Sequence, residues 1–146
     1  MDILSKFSEG LQELMAEREL NQPLLAKALG INNSMISSYI TGKCTPSYDT
    51  FVMFVEFFHC SADFLLGLKE YPCEEIAYKP VQPFCERLRA VLAETHTTQY
   101  AFIKRSRISW SVFYYWQTGK SLPSMDNLVR IAKTLDRSVD YLLGRV

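Results

Sequence analysis

Long apolar runs are missing from this sequence. No stretch approaches the roughly 20 consecutive apolar residues that a membrane-spanning helix requires. The N-terminal segment MDILSKFSEGLQELM follows an amphipathic helical pattern. A signal peptide would instead have a basic head followed by an unbroken apolar stretch. We therefore expect a cytoplasmic protein that has no membrane partner.

Residues that bind metals or carry out catalysis are also scarce. The four cysteines are spaced 16, 13 and 12 residues apart, at Cys44, Cys60, Cys73 and Cys85. Zinc sites usually take their ligands in closely spaced pairs, so this spacing favours reduced structural thiols. His59 and His96 have no neighbours that would complete a catalytic triad, and the sequence has no glycine-rich phosphate loop. We expect no metal, no cofactor, no small-molecule effector and no enzymatic activity.

Net charge is absent as well, although the charges are distributed unevenly. The 146 residues carry a formal net charge of +0, and 48% of them are hydrophobic, which is sufficient for packed cores. Residues 1–70 contain 5 basic and 9 acidic side chains, whereas residues 84–146 contain 10 basic and 5 acidic ones. The positive excess in the second part is typical of a surface that binds a polyanion.

What the chain does have is an internal repeat. Shifted by 77 positions, residues 7–69 align with residues 84–146 without a gap, and about one third of the aligned positions are identical. The match includes ITGKCTPS against QTGKSLPS and ends with SADFLLG against SVDYLLG. This self-similarity predicts two copies of one domain, residues 1–70 and 84–146. Three prolines in residues 71–83 predict an extended, fairly stiff linker between the copies.

Each copy is predicted to contain five short α-helices and no strands. In the first copy, apolar periodicity places a helix at about 7–18 and a second at 22–29. A third helix stops at Gly42, where a left-handed cap favours glycine, and Ser47 and Ser61 are N-caps of the fourth and fifth. The second copy repeats this order 77 residues later, with its first helix at about 84–95. The predicted fold class is all-α, with two tandem five-helix domains.

The order of motifs resembles a known family. The pattern QxxLAxxxGI at residues 22–31, followed by ISxYxxG at residues 36–42, resembles the lambda-repressor-like, Cro-type (XRE) helix-turn-helix family. The resemblance covers about 125 of the 146 residues when both copies are counted. It implies a bacterial or phage transcriptional regulator that binds double-stranded DNA, with the third helix of a five-helix bundle in the major groove.

The resemblance also implies which residues contact DNA. Gln22 and Gln99 would hold phosphate at the start of the second helix of each copy. Base contacts would come from the outward positions of the third helix, while Ile36 and Tyr39 turn inward. In the first copy the implied set is Asn33, Ser34, Ser37, Ser38 and Thr41, with Lys43 as a further DNA-binding residue. In the second copy the set is Trp110, Ser111, Tyr114, Tyr115 and Thr118. Basic residues flank the second set at Lys104, Arg105, Arg107 and Lys120.

The second copy departs from the family pattern at two positions. Ile103 replaces Ala26, where the family packs its second and third helices tightly, and Arg107 replaces Gly30. A left-handed conformation costs a non-glycine residue about 1 kcal/mol. Both changes together predict an altered crossing of the second and third helices in the second copy.

Five of the seven residues in WSVFYYW, residues 110–116, are aromatic. Phe113 and Trp116 align with the inward residues of the first copy and are predicted to lie in the core. Trp110, Tyr114 and Tyr115 are predicted to face outward, where they would contact either DNA or a protein.

Two functions follow from these features. The first is a sequence-specific DNA-binding regulator whose two domains act as a pseudo-dimer, or whose chains form a dimer. The alternative is a protein-interaction module on the same scaffold, similar to an anti-repressor or an antitoxin. Met53 and Phe57 lie off the core stripe of their helix, which predicts an apolar contact with a second copy or between the two domains.

Overall fold

The computed structural model describes residues 3–71 and 77–146. The chain divides into two compact units, residues 1–76 and 77–146. Within the described residues all the regular structure is helical, and each unit contains five α-helices, which confirms the predicted all-α class. Part of the predicted linker, including Pro72 and Cys73, lies outside the described residues.

The first unit follows the predicted helix order. Its helices are α1 (Ile3–Glu17), α2 (Gln22–Leu29), α3 (Asn33–Ile40), α4 (Tyr48–Phe58) and α5 (Ala62–Leu65). The prediction for α1 was wrong at its start, because Ile3 continues the apolar stripe of Phe7 and Leu11 by one more turn. α3 ends at Ile40 rather than at Gly42, which lies two residues further on in the left-handed conformation (φ 74°).

Aromatic rings form the core of the first unit. Phe7 of α1 makes edge-to-face contacts with Tyr39 of α3 and Phe54 of α4, at centroid distances of 6.0 and 5.7 Å. Tyr39 and Phe54 also pack edge to face, at 5.7 Å. Such pairs stabilise a core by about 0.5–1.5 kcal/mol each beyond the area that they bury. This cluster attaches α3 to the two longest helices of the unit.

Polar side chains cap the short helices. The Ser47 and Ser61 hydroxyls accept hydrogen bonds from the Thr50 and Phe64 amides, as predicted. Asn21 and Asn32, which the sequence analysis left unassigned, cap α2 and α3 in the same way. Each cap is worth about 1 kcal/mol, which matters for helices of two turns.

The second unit repeats the arrangement. Its helices are α6 (Phe84–Glu94), α7 (Gln99–Ser106), α8 (Trp110–Gln117), α9 (Met125–Leu135) and α10 (Val139–Leu142). The Ser124 and Ser138 hydroxyls cap α9 and α10, as predicted. α8 ends two residues before the predicted Gly119, just as α3 ends before its glycine. The core contains the edge-to-face pair of Phe102 with Phe113, at 5.4 Å.

The two substitutions of the second unit lie at the end and in the middle of α7, and the predicted change in helix crossing stays a prediction. Arg107 adopts the left-handed conformation of Gly30, with φ of 61° against 69°, so the turn after α7 keeps its path. Ile103 is half-buried on α7. α2 approaches α3 closely, whereas the close approach of α7 is to α9. The partner of the second helix thus differs between the two units, in the helix where Ile103 replaces the smaller Ala26.

The segment 77–83, which the sequence assigned to the linker, belongs to the second unit. The Lys79 amide donates to the Arg145 carbonyl at 2.7 Å, and the Gln82 amide donates to the Leu143 carbonyl at 3.0 Å. The side chain of Tyr78 places its ring 4.5 Å from the Arg145 guanidinium. This extended segment, which we name the strap, therefore lies along the C-terminus of the chain.

A buried ion pair holds the C-terminus under the strap. Arg145 and Asp140 are joined by a 2.7 Å bond between Nη1 and Oδ1, and both side chains are almost completely buried. In the first unit Asp63 is buried at the position of Asp140, but Leu68 occupies the position of Arg145 and is exposed. The arginine of this ion pair therefore has no counterpart at the aligned position of the first unit.

We expect Arg145→Leu to destabilise the second unit by about 3–5 kcal/mol, because the Asp140 carboxylate would remain buried without its partner. Both tryptophans of the chain, Trp110 and Trp116, lie in this unit, so their fluorescence follows its unfolding in urea selectively. The control Arg130→Leu, at an exposed position of α9, should change the free energy of unfolding by less than about 0.5 kcal/mol. Equal effects of the two substitutions would show that the ion pair contributes nothing specific.

Candidate nucleic-acid interface

The outward face of α3 is polar and made of small side chains. Asn33, Ser34 and Thr41 are exposed, and Ser37 and Ser38 between them are half-buried. On the opposite face Ile36 and Tyr39 are buried, as predicted. Burial raises the pKa of the Tyr39 phenol above its usual value, and nearby Cys44 raises it further, so this ring stays neutral inside the core.

The hydroxyl groups of this face are already oriented by the protein. Thr41 Oγ1 donates to the Ser37 carbonyl at 2.8 Å, and Ser38 Oγ donates to the Ser34 carbonyl at 3.1 Å. Ser34 Oγ donates to the Asn32 side chain at 2.9 Å. Because each of these three hydroxyls already donates its proton within the protein, its oxygen can only accept a hydrogen bond from DNA. The amino groups of cytosine and adenine are donors of this kind.

Asn33 differs from these residues. Among the described residues its side-chain amide has no hydrogen-bond partner, and its exposed position at the start of α3 leaves both its donor and its acceptor available. An amide with this freedom can form two bonds with an adenine edge in the major groove. Ser37, also without a side-chain partner in the described part of the chain, is the other group that can still donate.

Two donors from α1 anchor the end of α3. The Ile40 carbonyl accepts a short hydrogen bond from Ser8 Oγ and a second one, of 3.1 Å, from Gln12 Nε2. These bonds fix the rotation of α3 against α1 and thereby the direction of its outward face. No local sequence pattern predicts this role of Ser8 and Gln12, because their partner lies about thirty positions away in the chain.

The start of α2 offers fewer backbone donors than the resemblance implies. Gln22 is the first residue of the helix and is half-buried, and Pro23 after it has no N–H. The Leu24 amide is bound to Asn21 Oδ1 at 2.9 Å. In the second unit Tyr100 replaces the proline after Gln99, which restores one amide and adds an exposed ring that the sequence analysis overlooked.

The outward face of α8 is aromatic. Trp110, Tyr114 and Tyr115 are 52%, 53% and 45% exposed, whereas Phe113 and Trp116 are buried, so the predicted sorting of the rings is confirmed. Ser111 and Thr118 are exposed on the same side, and the Thr118 hydroxyl donates to the Tyr114 carbonyl at 2.9 Å. α8 therefore presents large flat surfaces where α3 presents small polar groups.

Positive charge lies beside these rings. The Lys120 ammonium is 5.7 Å from the centre of the Tyr114 ring and 6.0 Å from that of Tyr115. Its counterpart in the first unit, Lys43, is also exposed, next to the C-terminus of α3. Lys104, Arg105 and Arg107 are exposed at the end of α7, directly before α8. In the described part of the chain none of these basic side chains pairs with a carboxylate.

The anchor of α3 has no counterpart on α8. Cys85 and Arg89 occupy the positions of Ser8 and Gln12, and the Arg89 guanidinium donates within its own helix, to the Cys85 carbonyl at 3.3 Å. Among the described residues, α6 therefore makes no hydrogen bonds to the end of α8 like those that α1 makes to the end of α3.

An apolar surface lies on α4. Met53 is 36% exposed, and Phe57 is half-buried with its ring edge to face against Phe58 at 5.0 Å. The corresponding residues of α9 are Arg130 and Thr134. The predicted apolar face is thus present in the first unit only.

The described residues contain no group of three or more His, Cys, Asp or Glu side chains that could hold a metal ion. No helix among them is both long enough and apolar enough to cross a membrane.

Comparison with known proteins agrees with this geometry. Residues 11–65, which include α2 to α5, match a helix-turn-helix family model. A 60-residue stretch is 37% identical to the cryptic phage CTXphi transcriptional repressor RstR of Vibrio cholerae serotype O1. That stretch is 41% of this chain and 54% of the repressor, so the chain spans about half the length of this curated relative. No solved structure matches the chain. Residues 11–65 of the first unit therefore form a helix-turn-helix domain of the XRE type.

Proposed function

We propose that this DNA-binding regulator recognises a specific duplex sequence through α3 and that its second unit is a second DNA-binding domain on the same chain. The polar face of α3 is the observation that carries the proposal. Its hydroxyl acceptors are pre-oriented by internal hydrogen bonds, the amide of Asn33 is available, and Ser8 and Gln12 hold the helix in place. Pre-oriented groups lose little conformational freedom when they bind a base edge.

The two units would contribute differently to binding. The first unit, with its acidic excess, supplies few groups that attract phosphate, whereas the second carries 10 basic and 5 acidic side chains. Counterion release by the basic residues supplies affinity for any duplex, and base contacts supply the choice of sequence. The two units would thus act as a covalent pseudo-dimer on two unlike half-sites, and repression is the activity that the name of its relative suggests.

The aromatic face of α8 also supports a second candidate. Exposed rings are enriched in protein interfaces, and a protein-interaction role like that of an anti-repressor would use them without DNA. The unpaired basic side chains next to the rings favour nucleic acid, because a surface with a positive excess attracts a polyanion.

Asn33→Ala should weaken binding to the selected duplex by roughly 5- to 150-fold, which corresponds to about 1–3 kcal/mol for one bidentate base contact. Selection from random duplexes followed by gel-shift titration would measure this loss. The variant should also tolerate a changed base at one position of the site. Asn127→Ala, at a position on α9, serves as the matched control and should bind like the wild type. A uniform loss across all sequences would contradict base recognition by Asn33.

Neutralising Arg105 and Arg107 should weaken binding to all duplexes equally and reduce the slope of log K against log salt by about 1.8, since each phosphate contact contributes about 0.9. Arg105→Ala is combined with Arg107→Gly, because residue 107 has a positive φ that glycine adopts without strain. Arg89→Ala on α6 with Arg137→Ala between α9 and α10 removes the same charge from other places and should change the slope much less. Equal slopes for the two double variants would place the phosphate contacts elsewhere.

Met53→Lys with Phe57→Lys should abolish the contact that we propose for the apolar face of α4. Sedimentation velocity at several protein concentrations would show a loss of dimer if the contact joins two copies. A contact within one chain would leave the mass unchanged and lower the urea midpoint of the first unit. Leu24→Lys, at another exposed apolar residue, is the control. Unchanged mass and unchanged stability would mean that this face contacts neither a second copy nor another part of the same chain.

A further inference from the structure

The outward face of α8 contains none of the groups that recognise bases by paired hydrogen bonds. Its exposed residues are Trp110, Ser111, Tyr114, Tyr115 and Thr118. Arg, Lys, Asn and Gln, which form bidentate bonds with guanine and adenine, are all missing from these positions. The Thr118 hydroxyl proton is already bound to the Tyr114 carbonyl. What this face offers instead is apolar ring surface with a few polar atoms at its edge.

Only one base presents an apolar group in the major groove. Thymine carries a C5-methyl group there, whereas the other three bases present only hydrogen-bonding groups or a bare edge. A half-exposed ring that contacts this methyl removes apolar surface of both partners from water. The chemistry of α8 therefore fits thymine better than any other base.

The charges around α8 favour a polyanion such as nucleic acid as the occupant. The Lys120 ammonium lies within 6.0 Å of both tyrosine ring centres, and three further basic side chains end the preceding helix. None of them is neutralised by a carboxylate in the described part of the chain. A phosphate backbone beside the rings would satisfy these charges, and an uncharged protein surface would not.

We propose that Trp110, Tyr114 and Tyr115 recognise the C5-methyl groups of thymines in duplex DNA, so that the half-site of the second unit is rich in thymine. This inference rests on the proposed function, since it requires α8 to enter the major groove. The first unit reads its half-site by hydrogen bonds from α3. One chain thus combines two recognition chemistries on one scaffold.

The spacing of the rings supports a shared surface. Trp110 and Tyr114 are four residues apart and lie on the same face of α8, and the rings of Tyr114 and Tyr115 are 6.1 Å apart. The phenol and indole polar atoms of these three residues have no hydrogen-bond partner among the described residues. Their edges therefore remain free to bind phosphate while their faces contact methyl groups.

Replacement of thymine by deoxyuridine tests the proposal directly. Deoxyuridine keeps every hydrogen-bonding group of thymine and lacks only the methyl. In a duplex selected by the wild-type protein, each substitution in the half-site of the second unit should weaken binding about fourfold. This is the loss of affinity expected when the contact with one buried methyl group is removed. Substitution in the other half-site should have a much smaller effect. Tyr114→Ala with Tyr115→Ala should remove the difference between thymine and deoxyuridine, whereas Tyr71→Ala, an exposed tyrosine of the first unit, should keep it.

Three results would overturn the proposal while the duplex is still bound. Equal affinity for thymine and deoxyuridine in both half-sites would exclude methyl recognition. Equal affinity for a single strand of the same sequence would mean that the rings stack on unpaired bases. A change of oligomeric state in the double tyrosine variant, with unchanged DNA affinity, would identify a protein interface. If the wild type binds no duplex even at low salt, the proposed function itself fails. Fluorescence of buried Trp116 verifies that each variant is folded.

Discussion

Helices of two turns need tertiary contacts, and this requirement shapes both units. α3 and α8 contain eight residues each, and isolated helices shorter than about 12–15 residues are marginal in water. Their stability therefore comes from the inward face. Ile36 and Tyr39 in one unit, and Phe113 and Trp116 in the other, are almost fully buried among the longer helices. Without that burial neither helix could hold its outward side chains in a defined direction.

Because stability depends on the inward face, the outward face can change its chemistry without loss of the fold. The same five-helix order carries small hydroxyls and an amide on α3 and three large rings on α8. The surroundings have changed together with these faces. α3 is anchored by Ser8 and Gln12, whereas α7 has moved its close contact from α8 to α9. The two units share a scaffold and differ in what they present.

The two units also differ in charge. The first is acidic and the second basic, although the chain as a whole is neutral. In protein–DNA complexes phosphate contacts contribute affinity that depends on salt, and base contacts contribute the choice of sequence. A chain that distributes these contributions over two linked domains binds the duplex more tightly than either domain alone. Binding of one domain holds the other near the duplex and so raises its effective concentration there. This arrangement would let a weakly attracted recognition helix act on DNA that the basic unit already holds.

The sequence by itself determined the repeat, the all-α class, most helix boundaries and the sorting of the aromatic residues, because apolar spacing and capping residues act within one or two turns. The partners of distant residues were decided only by the tertiary structure. The strap over the C-terminus and the anchor of Ile40 join groups that lie far apart in the chain. Arg145 and Asp140 are only five residues apart, but the ring of the distant Tyr78 packs on their ion pair. Arg107 shows the same limit at close range, because it adopts a left-handed turn that local preference disfavours. Local patterns therefore specify which helices form and which faces are apolar, whereas packing decides how far apart those helices lie and which polar groups remain free.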